Sequence, residues 1–179
     1  MHDNRIHFHM RGSLVIFALV VGAIAVGRTQ SAGDVKLQSQ LKQVIPSAAS
    51  FSPKVLDPPH FKAFAPAAGQ QTVGIAFWTT EIEPLERGYD GPIKILVGMD
   101  MQGILTGIVV VQHHEPYGDF SIEPPQFAAQ FKGKSVRDPF RVGTDIDAVS
   151  RATISITSAA RAIRNSARRM ATQLLVPPK

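Results

Sequence analysis

Apolar residues near the C-terminus of the chain recur at intervals of three and four residues, which is the spacing of one helix face. They are Ile156, Ala160, Ile163, Ala167, Met170 and Leu174. This period predicts an amphipathic helix over residues 155–174 with one face against a core. The polar positions carry four arginines, Arg161, Arg164, Arg168 and Arg169. We expect a solvated helix face, with a membrane surface or an acidic protein as the alternative partners.

Short apolar runs rich in β-branched residues predict strands in the middle of the chain. Three such runs occupy residues 73–80, 93–99 and 104–111. The last two are separated by four residues that end in Gly103, which suits the left-handed position of a hairpin loop. Because residues 108–111 are apolar without alternation, we predict that this second hairpin strand lies centrally in the sheet, covered on both faces.

Two shorter helical patterns complete the predicted elements. Residues 34–45 form one helix that Pro46 ends, and residues 124–134 form another that Gly133 ends. Between residues 46 and 71 we predict irregular chain, because prolines interrupt it: Pro53, Pro58, Pro59 and Pro66. The only tryptophan, Trp78, is predicted to pack in the core rather than against a ligand.

These elements predict an α+β fold. A small antiparallel sheet is built on a central hairpin and packed by an N-terminal helix and a long C-terminal helix. We divide the chain into an export segment at residues 1–32, a helix with a Pro/Ala-rich connector at residues 33–71, and the main domain at residues 72–176.

The N-terminal segment has the order of charges and apolar residues that is typical of export. Arg5 and Arg11 precede an uncharged run at residues 13–27. This run is shorter than the roughly 20 residues that span a bilayer comfortably. The segment is therefore either cleaved, after Ala25 or Ala32, or retained as an inner-membrane anchor with its N-terminus inside. Both alternatives place the rest of the chain in the periplasm, away from nucleic acid.

Composition and motifs exclude several kinds of chemistry. The chain has 179 residues, a net charge of +5 and no cysteine, so it forms no disulfide and offers no thiolate to an iron–sulfur cluster. His113, His114 and Glu115 are metal-ligand types, but adjacent residues at a strand end point in opposite directions. We predict neither a metal site nor a catalytic acid or base. No hydrolase or metalloprotease motif occurs in the sequence.

The stretch that precedes the C-terminal helix combines an acidic residue with small and hydroxyl residues. Here Asp147 leads to Ser150 and Thr153. A helix N-terminus has unpaired N–H groups and about half a positive charge, which favours a bound phosphate. Ser, Thr and Asp in this position commonly cap the helix themselves, so both interpretations stand. We expect Asp147 to accept local hydrogen bonds in the turn, and Asp145 to be a surface residue.

Residues 147–153 resemble the flavin-attachment motif Asp-x-x-Ser/Thr-Gly-Ala-Thr of the FMN-binding domain family. Four positions are in register: Asp147, Ser150, Ala152 and Thr153. The resemblance implies that Thr153 carries FMN through a phosphoester made by a periplasmic ApbE-type transferase. Arg151 stands where the family usually has glycine. If that glycine provides a positive φ, arginine is strained; if it provides only space, arginine is free to pair with the flavin phosphate.

The resemblance includes both loops that flank the predicted hairpin and covers roughly residues 72–172. Gly-Tyr-x-Gly corresponds to Gly88, Tyr89 and Gly91, and His-x-Glu-(Thr)-Pro-Gly corresponds to His113, Glu115, Pro116 and Gly118. The second loop lacks the threonine and has Tyr117 inserted before its glycine. The isoalloxazine is implied to lie against these loops. Among the family's members, which include the Rnf complex G subunit and the sodium-pumping NADH:quinone reductase C subunit, the variants are most similar to the NosR/NirI regulators.

Two functions follow from this resemblance. In the first, the protein is a one-domain electron carrier with covalent FMN, or an accessory of a membrane redox system. Its partners are then the flavin transferase, a membrane electron donor and an exported oxidoreductase, together with the other subunits if it belongs to a membrane complex. In the second, the domain carries no flavin and docks onto a larger complex as a structural subunit.

Overall fold

The computed structural model describes residues 32–66 and 71–175, which form a six-stranded antiparallel sheet and five helices. The predicted export segment and its candidate cleavage positions fall at or before the first described residue. In chain order the elements are α1 Ala32–Val44, β1 Ser50–Phe51, β2 Val55–Leu56, β3 Pro59–Phe64, β4 Thr72–Trp78, α2 Thr79–Ile82, β5 Lys94–Asp100, β6 Leu105–Gln112, α3 Gly118–Ser121, α4 Pro125–Ala129 and α5 Thr153–Leu174.

The long helices and the hairpin confirm the predictions from periodicity. Helix α5 begins two residues before its predicted start and ends at the predicted residue. Its predicted apolar face is buried, apart from the half-buried Leu174 at the end. The hairpin loop closes where the Gly103 N–H donates to the Asp100 carbonyl at 3.2 Å. Gly103 has φ 80°, the left-handed conformation that the loop requires.

Strand β6 lies at the edge of the sheet, so its predicted central position is wrong. The strand order is β1-β3-β4-β5-β6, with β2 pairing β3 outside this path. The central strand of the hairpin is β5, whose residues 95–99 are buried. In β6 the apolar run reflects partial cover on both faces: Val109 and Val111 pack toward one core cluster and Val110 toward the other. An uninterrupted apolar run indicates that both faces of a strand are covered. It does not indicate whether the strand lies at the centre or at the edge of the sheet.

The Pro-rich segment also contains strands, so the predicted irregular chain over residues 46–71 is wrong. Strand β3 pairs antiparallel with β4, and β1 and β2 pair with β3. Pro59 is the first residue of β3, a position where proline is tolerated in a sheet. The following residues include a buried Phe61, an exposed Lys62 and a buried Ala63, which is the alternation of a strand. The prolines concealed this alternation.

The α+β architecture is confirmed, with helices covering both faces of the sheet. One core cluster joins α5 and α4 to one face; its largest members include Phe77, Met99, Phe131, Ile156 and Ile163. The other joins α1 to the opposite face through Leu41, Val44, Ile45, Phe61 and Leu96. Trp78 packs against this second cluster, edge-on to Phe61 with ring centroids 5.3 Å apart, as predicted. Among the described helices, none is long and apolar enough to cross a bilayer.

Candidate functional site

The Glu115 carboxylate connects the three stretches that carried the family resemblance. It is 6% exposed. Its Oε2 accepts the Tyr89 N–H at 2.9 Å, and its Oε1 accepts the Asp90 N–H at 3.0 Å. The Ser155 hydroxyl, from the first turn of α5, donates to the same Oε2. One side chain therefore holds the loop before the hairpin, the loop after it and the start of α5 together.

The hydrogen bonds to Glu115 outweigh the cost of burying its charge. Burial by itself acts to raise the pKa of this carboxyl group. The hydrogen bonds from Ser155, Asp90 and Tyr89 together hold the pKa below its usual value of 4.5. The carboxylate is thus ionised at neutral pH, and its charge strengthens each hydrogen bond that it accepts.

Two glycines allow the backbone to approach this carboxylate and the neighbouring imidazole. A Cβ atom at Gly88 would lie 2.4 Å from the Glu115 Oε1, and one at Gly118 would lie 2.1 Å from the His113 Cε1. The His113 Nδ1 accepts the Glu115 N–H at 3.0 Å, while its Nε2 bonds the Glu123 carboxylate at 2.8 Å. Gly88, His113 and Gly118 therefore pack around Glu115 and support the two loops.

The N-terminus of α5 has no side-chain cap, so the capping interpretation is wrong. The N-cap residue is Ala152, which is 2% exposed and makes no side-chain cap hydrogen bond. Thr153 is the first helical residue and is exposed. The first backbone bond into the helix runs from the Ile156 N–H to the Ala152 carbonyl, 3.0 Å. Among the described residues, no acceptor bonds the N–H groups of residues 153–155, which leaves them free for an anion.

The hydrogen-bond acceptor of the preceding loop is Asp145, not Asp147 as predicted. The Asp145 carboxylate accepts the Phe140 N–H at 3.0 Å and also the Arg141 N–H, and it lies 3.5 Å from the Lys134 ammonium. The bond that Asp147 makes to a described residue comes from its backbone N–H, which donates to the Gln130 side chain at 2.6 Å. Asp145 stabilises the connector before the motif, so it is not a simple surface residue.

A cleft of ≈ 500 Å³ opens beside Thr153. Its lining residues are Tyr89, Pro116, Tyr117, Arg151, Thr153, Ile154 and Ser155. Four of them were predicted, whereas Tyr117, Ile154 and Ser155 were not. Tyr89 is 69% exposed and Ile154 is 57% exposed, and Tyr117 is also exposed. Large apolar groups left in water around one cleft are typical of a ligand site.

The remaining predicted site residues do not line this cleft. Gly91 has φ 111° and its carbonyl accepts the Gly88 N–H at 2.7 Å, so it closes the turn that presents Tyr89. Ala152 packs into the core, and Ser150 is exposed in the loop before α5. No group of three or more metal-ligating side chains occurs among the residues that the structure describes.

The groups around the cleft match the two halves of a flavin mononucleotide. The free N–H groups of α5 and the Arg151 guanidinium suit a phosphate. The Tyr89 and Tyr117 rings and the Ile154 side chain offer apolar surface to a flat aromatic ring system. Thr153, in the same lining, provides a hydroxyl.

Comparison with known proteins agrees with this chemistry. The FMN-binding domain family matches residues 88–168, a range that includes both loops and Thr153. Residues 88–168 belong to the FMN-binding domain family. This confirms the family predicted from the motifs and supports FMN as the ligand; the NosR/NirI branch stays a prediction.

Two curated relatives are both named as the G subunit of an ion-translocating oxidoreductase complex. The protein from Yersinia pestis is 30% identical over 119 residues, covering 61% of this chain and 54% of the relative. The protein from Erwinia tasmaniensis is 32% identical over 104 residues, covering 52% of this chain and 48% of the relative. The chain spans about half the length of these relatives.

In this FMN-binding domain, Arg151 has the positive φ of the first alternative, whereas its pairing with the flavin phosphate stays a prediction. Its φ is 70°, so it adopts the left-handed conformation, and its side chain lines the cleft beside Thr153. A left-handed conformation costs an L-residue roughly 1–2 kcal/mol, which explains the glycine usual in the family.

Replacing Arg151 with glycine should stabilise the fold. Relief of the backbone strain outweighs the roughly 0.5–1 kcal/mol of extra unfolded-state entropy, so we expect a gain of about 0.5–1 kcal/mol in the free energy of unfolding. Urea denaturation measures this gain. Ser150→Gly, in the same loop without a positive φ, is the matched control and should not stabilise. A less stable Arg151→Gly variant would show that contacts of the guanidinium outweigh the strain.

Proposed function

We propose that this protein carries FMN covalently, through a phosphoester on Thr153, and transfers electrons as part of a membrane-associated redox system. The relatives are named as subunits of an ion-translocating oxidoreductase complex, which supports membership of a membrane complex. The proposed location is the periplasm, after cleavage of the export segment or with residues 13–27 as the tether. The proposed donor is in the membrane and the proposed acceptor is an exported oxidoreductase.

The observation that carries this proposal is the position of Thr153. Its hydroxyl stands at the uncapped N-terminus of a helix, at the rim of an apolar cleft that also contains a guanidinium. A phosphate esterified to this oxygen would lie within reach of the free N–H groups of the first turn. In the transferase reaction the Thr153 oxygen forms a bond to the FMN phosphorus while the phosphoanhydride bond of a flavin dinucleotide donor breaks. The nucleoside monophosphate leaves and the hydroxyl proton is released, so the protein gains one FMN less one water.

FMN supplies the electron-transfer chemistry when it is bound, and the protein supplies binding and orientation. Tyr89, Tyr117 and Ile154 would contact the ring and shield it from water. Arg151 and the α5 N-terminus would hold the phosphate charge. Glu115 does not face the ligand as an acid or base; it fixes both loops against α5 so that these contacts stay in place. Attachment by an ester would prevent loss of the flavin from the compartment.

The mass of the intact protein tests this proposal. The full chain is expressed with an ApbE-type transferase and the purified protein is weighed by mass spectrometry. We expect a mass increase of one FMN less one water, with the absorbance of bound flavin. An unmodified chain, from cells in which the transferase modifies a known substrate, would overturn the proposal.

One observation favours a second function, that of a docking subunit without flavin. Arg151 holds a left-handed conformation that the family usually assigns to glycine. If the transferase recognises the compact glycine loop, the arginine would prevent attachment. The cleft and the helix would then serve contacts with other subunits, and the unmodified mass described above is the result expected for this function.

A further inference from the structure

The exposed side of α5 continues from Thr153 into a row of arginines. Thr153, Thr157, Arg161, Arg164 and Arg168 follow one another at spacings of three and four residues, so they share one face of the helix. A groove of ≈ 620 Å³ runs between this face and the connector at residues 137–142. We call it the arginine groove; its lining residues are Arg137, Pro139, Phe140, Arg141, Val142, Thr157, Arg161, Arg164 and Arg168.

The charges of the arginine groove are mostly uncompensated. Its lining contains five arginines and no carboxylate. Arg161 forms an ion pair with Glu86 at 2.6 Å. The other four guanidinium groups of the groove have no carboxylate partner among the described residues. Arg137 and Arg141 are exposed, and their side chains make no hydrogen bond to the described part of the chain. The groove therefore presents a positive potential to any group that enters it.

Several of these guanidinium groups are held in fixed positions. The Arg168 Nε donates to the Val136 carbonyl at 2.8 Å, and its terminal nitrogen donates to the Asp138 carbonyl at 2.8 Å. Arg164 donates to the Pro139 carbonyl at 3.3 Å. A guanidinium fixed in this way loses little further entropy when it binds, and its planar fork matches a carboxylate.

The shape of the surface favours a protein partner over a lipid surface. A membrane surface is broad, whereas these charges line a concave groove. The groove also continues past the shared residues Arg137 and Arg168 into a second hollow of ≈ 630 Å³. That hollow is partly apolar, with Met101, Val136 and Leu175 in its lining. Carboxylates followed by an apolar side chain are what a protein segment provides and an isolated lipid headgroup does not.

We propose that the arginine groove binds an acidic segment of the protein that exchanges electrons with the flavin. Arg161 lies eight residues after Thr153, about 12 Å along the helix at about 1.5 Å per residue. A partner bound in the groove would thus lie beside the flavin. This inference rests on the proposed function for the partner's redox role, whereas binding of the acidic segment itself requires no flavin.

Peptide binding by the full chain tests the inference. Fluorescein-labelled octaglutamate is titrated with the protein and followed by anisotropy, with labelled octaglutamine as the uncharged control. The groove variant is Arg137→Gln with Arg141→Gln. The matched variant, Lys36→Gln with Lys62→Gln, removes the same charge from exposed positions outside the groove. Thermal unfolding establishes that both variants are folded.

We expect octaglutamate to bind and octaglutamine not to bind. The groove variant should weaken the octaglutamate affinity about fivefold or more, and the matched variant less than about twofold, because only contacts within the groove are specific. Equal weakening in both variants, or no preference for octaglutamate, would overturn the inference. Groove-dependent binding to phosphatidylglycerol vesicles without binding to octaglutamate would also overturn it, in favour of a lipid surface.

The same protein preparation separates this inference from the proposed function. Its intact mass reports flavin attachment independently of peptide binding. An unmodified chain whose groove binds octaglutamate would reject the flavin role and retain an acidic partner. A flavinylated chain that fails the peptide test would reject the acidic partner alone.

Discussion

Replacing Thr153 with alanine should leave the protein without any attached flavin. The exposed hydroxyl at the start of α5 is the proposed ester oxygen, and alanine provides no atom to form the bond. We expect the mass increase seen for the wild-type chain, co-expressed with an ApbE-type transferase, to disappear completely. Because Thr153 is exposed and caps nothing, the free energy of unfolding should change by less than about 0.5 kcal/mol.

A second threonine on the same helix face provides the matched control. Thr157 is exposed one turn further along α5, where it lines the arginine groove and not the cleft beside Thr153. Thr157→Ala should therefore gain the full flavin mass. Flavin that persists on Thr153→Ala would place the ester on another residue. Loss of flavin from both variants would indicate that transferase recognition, and not the attachment oxygen, had been disturbed.

Replacing Glu115 with glutamine should cause a large loss of stability. The buried carboxylate accepts backbone N–H groups from Tyr89 and Asp90 and the hydroxyl of Ser155. A glutamine amide turns one acceptor atom into a donor, and in either orientation this donor faces a backbone N–H, that of Tyr89 or that of Asp90. The variant loses hydrogen bonds to a charged group and leaves a buried donor unsatisfied. We therefore expect the free energy of unfolding to fall by roughly 2–3 kcal/mol.

Urea denaturation at neutral pH measures this loss, with Glu123→Gln as the control. Glu123 bonds the neighbouring His113, but its side chain is 55% exposed, so that variant should lose less than about 1 kcal/mol. The Glu115→Gln variant should also incorporate flavin poorly, because the loops that form the cleft lose their common attachment. A Glu115→Gln variant as stable as the wild type would show that the loops are held by other contacts.

The lowered pKa of Glu115 predicts the pH dependence of this contribution. The pKa in the folded state lies below the usual 4.5, so the ionised form is favoured by folding. The stabilisation is fully present above pH 4.5 and is lost as the pH falls from there through the folded-state pKa. The stability difference between wild type and Glu115→Gln should therefore shrink when urea denaturation is repeated in acid. A difference that does not change with pH would exclude the charge as its source.

The sequence alone predicted the elements whose signal is local. The period of the apolar positions located α5 and α1 to within two residues, and the apolar runs with Gly103 located the hairpin. Short motifs in a particular order identified the flavin-binding family and selected Thr153, Tyr89, Pro116 and Arg151, which line one cleft. These signals are readable because a helix period, a hairpin turn and a motif depend on residues close to one another in the chain.

Tertiary structure decided the features that depend on distant residues. Other elements partly cover both faces of β6, so its apolar run resembles that of a central strand. Pairing with β4 makes β3 a strand although Pro59 is its first residue. Glu115 contacts residues up to 40 positions away along the chain, so no local sequence pattern predicts these contacts. The sequence could not show whether the position of Arg151 requires a positive φ, and the structure gives it a φ of 70°. Local periodicity determines which elements form, whereas long-range packing and backbone geometry determine which side chains meet.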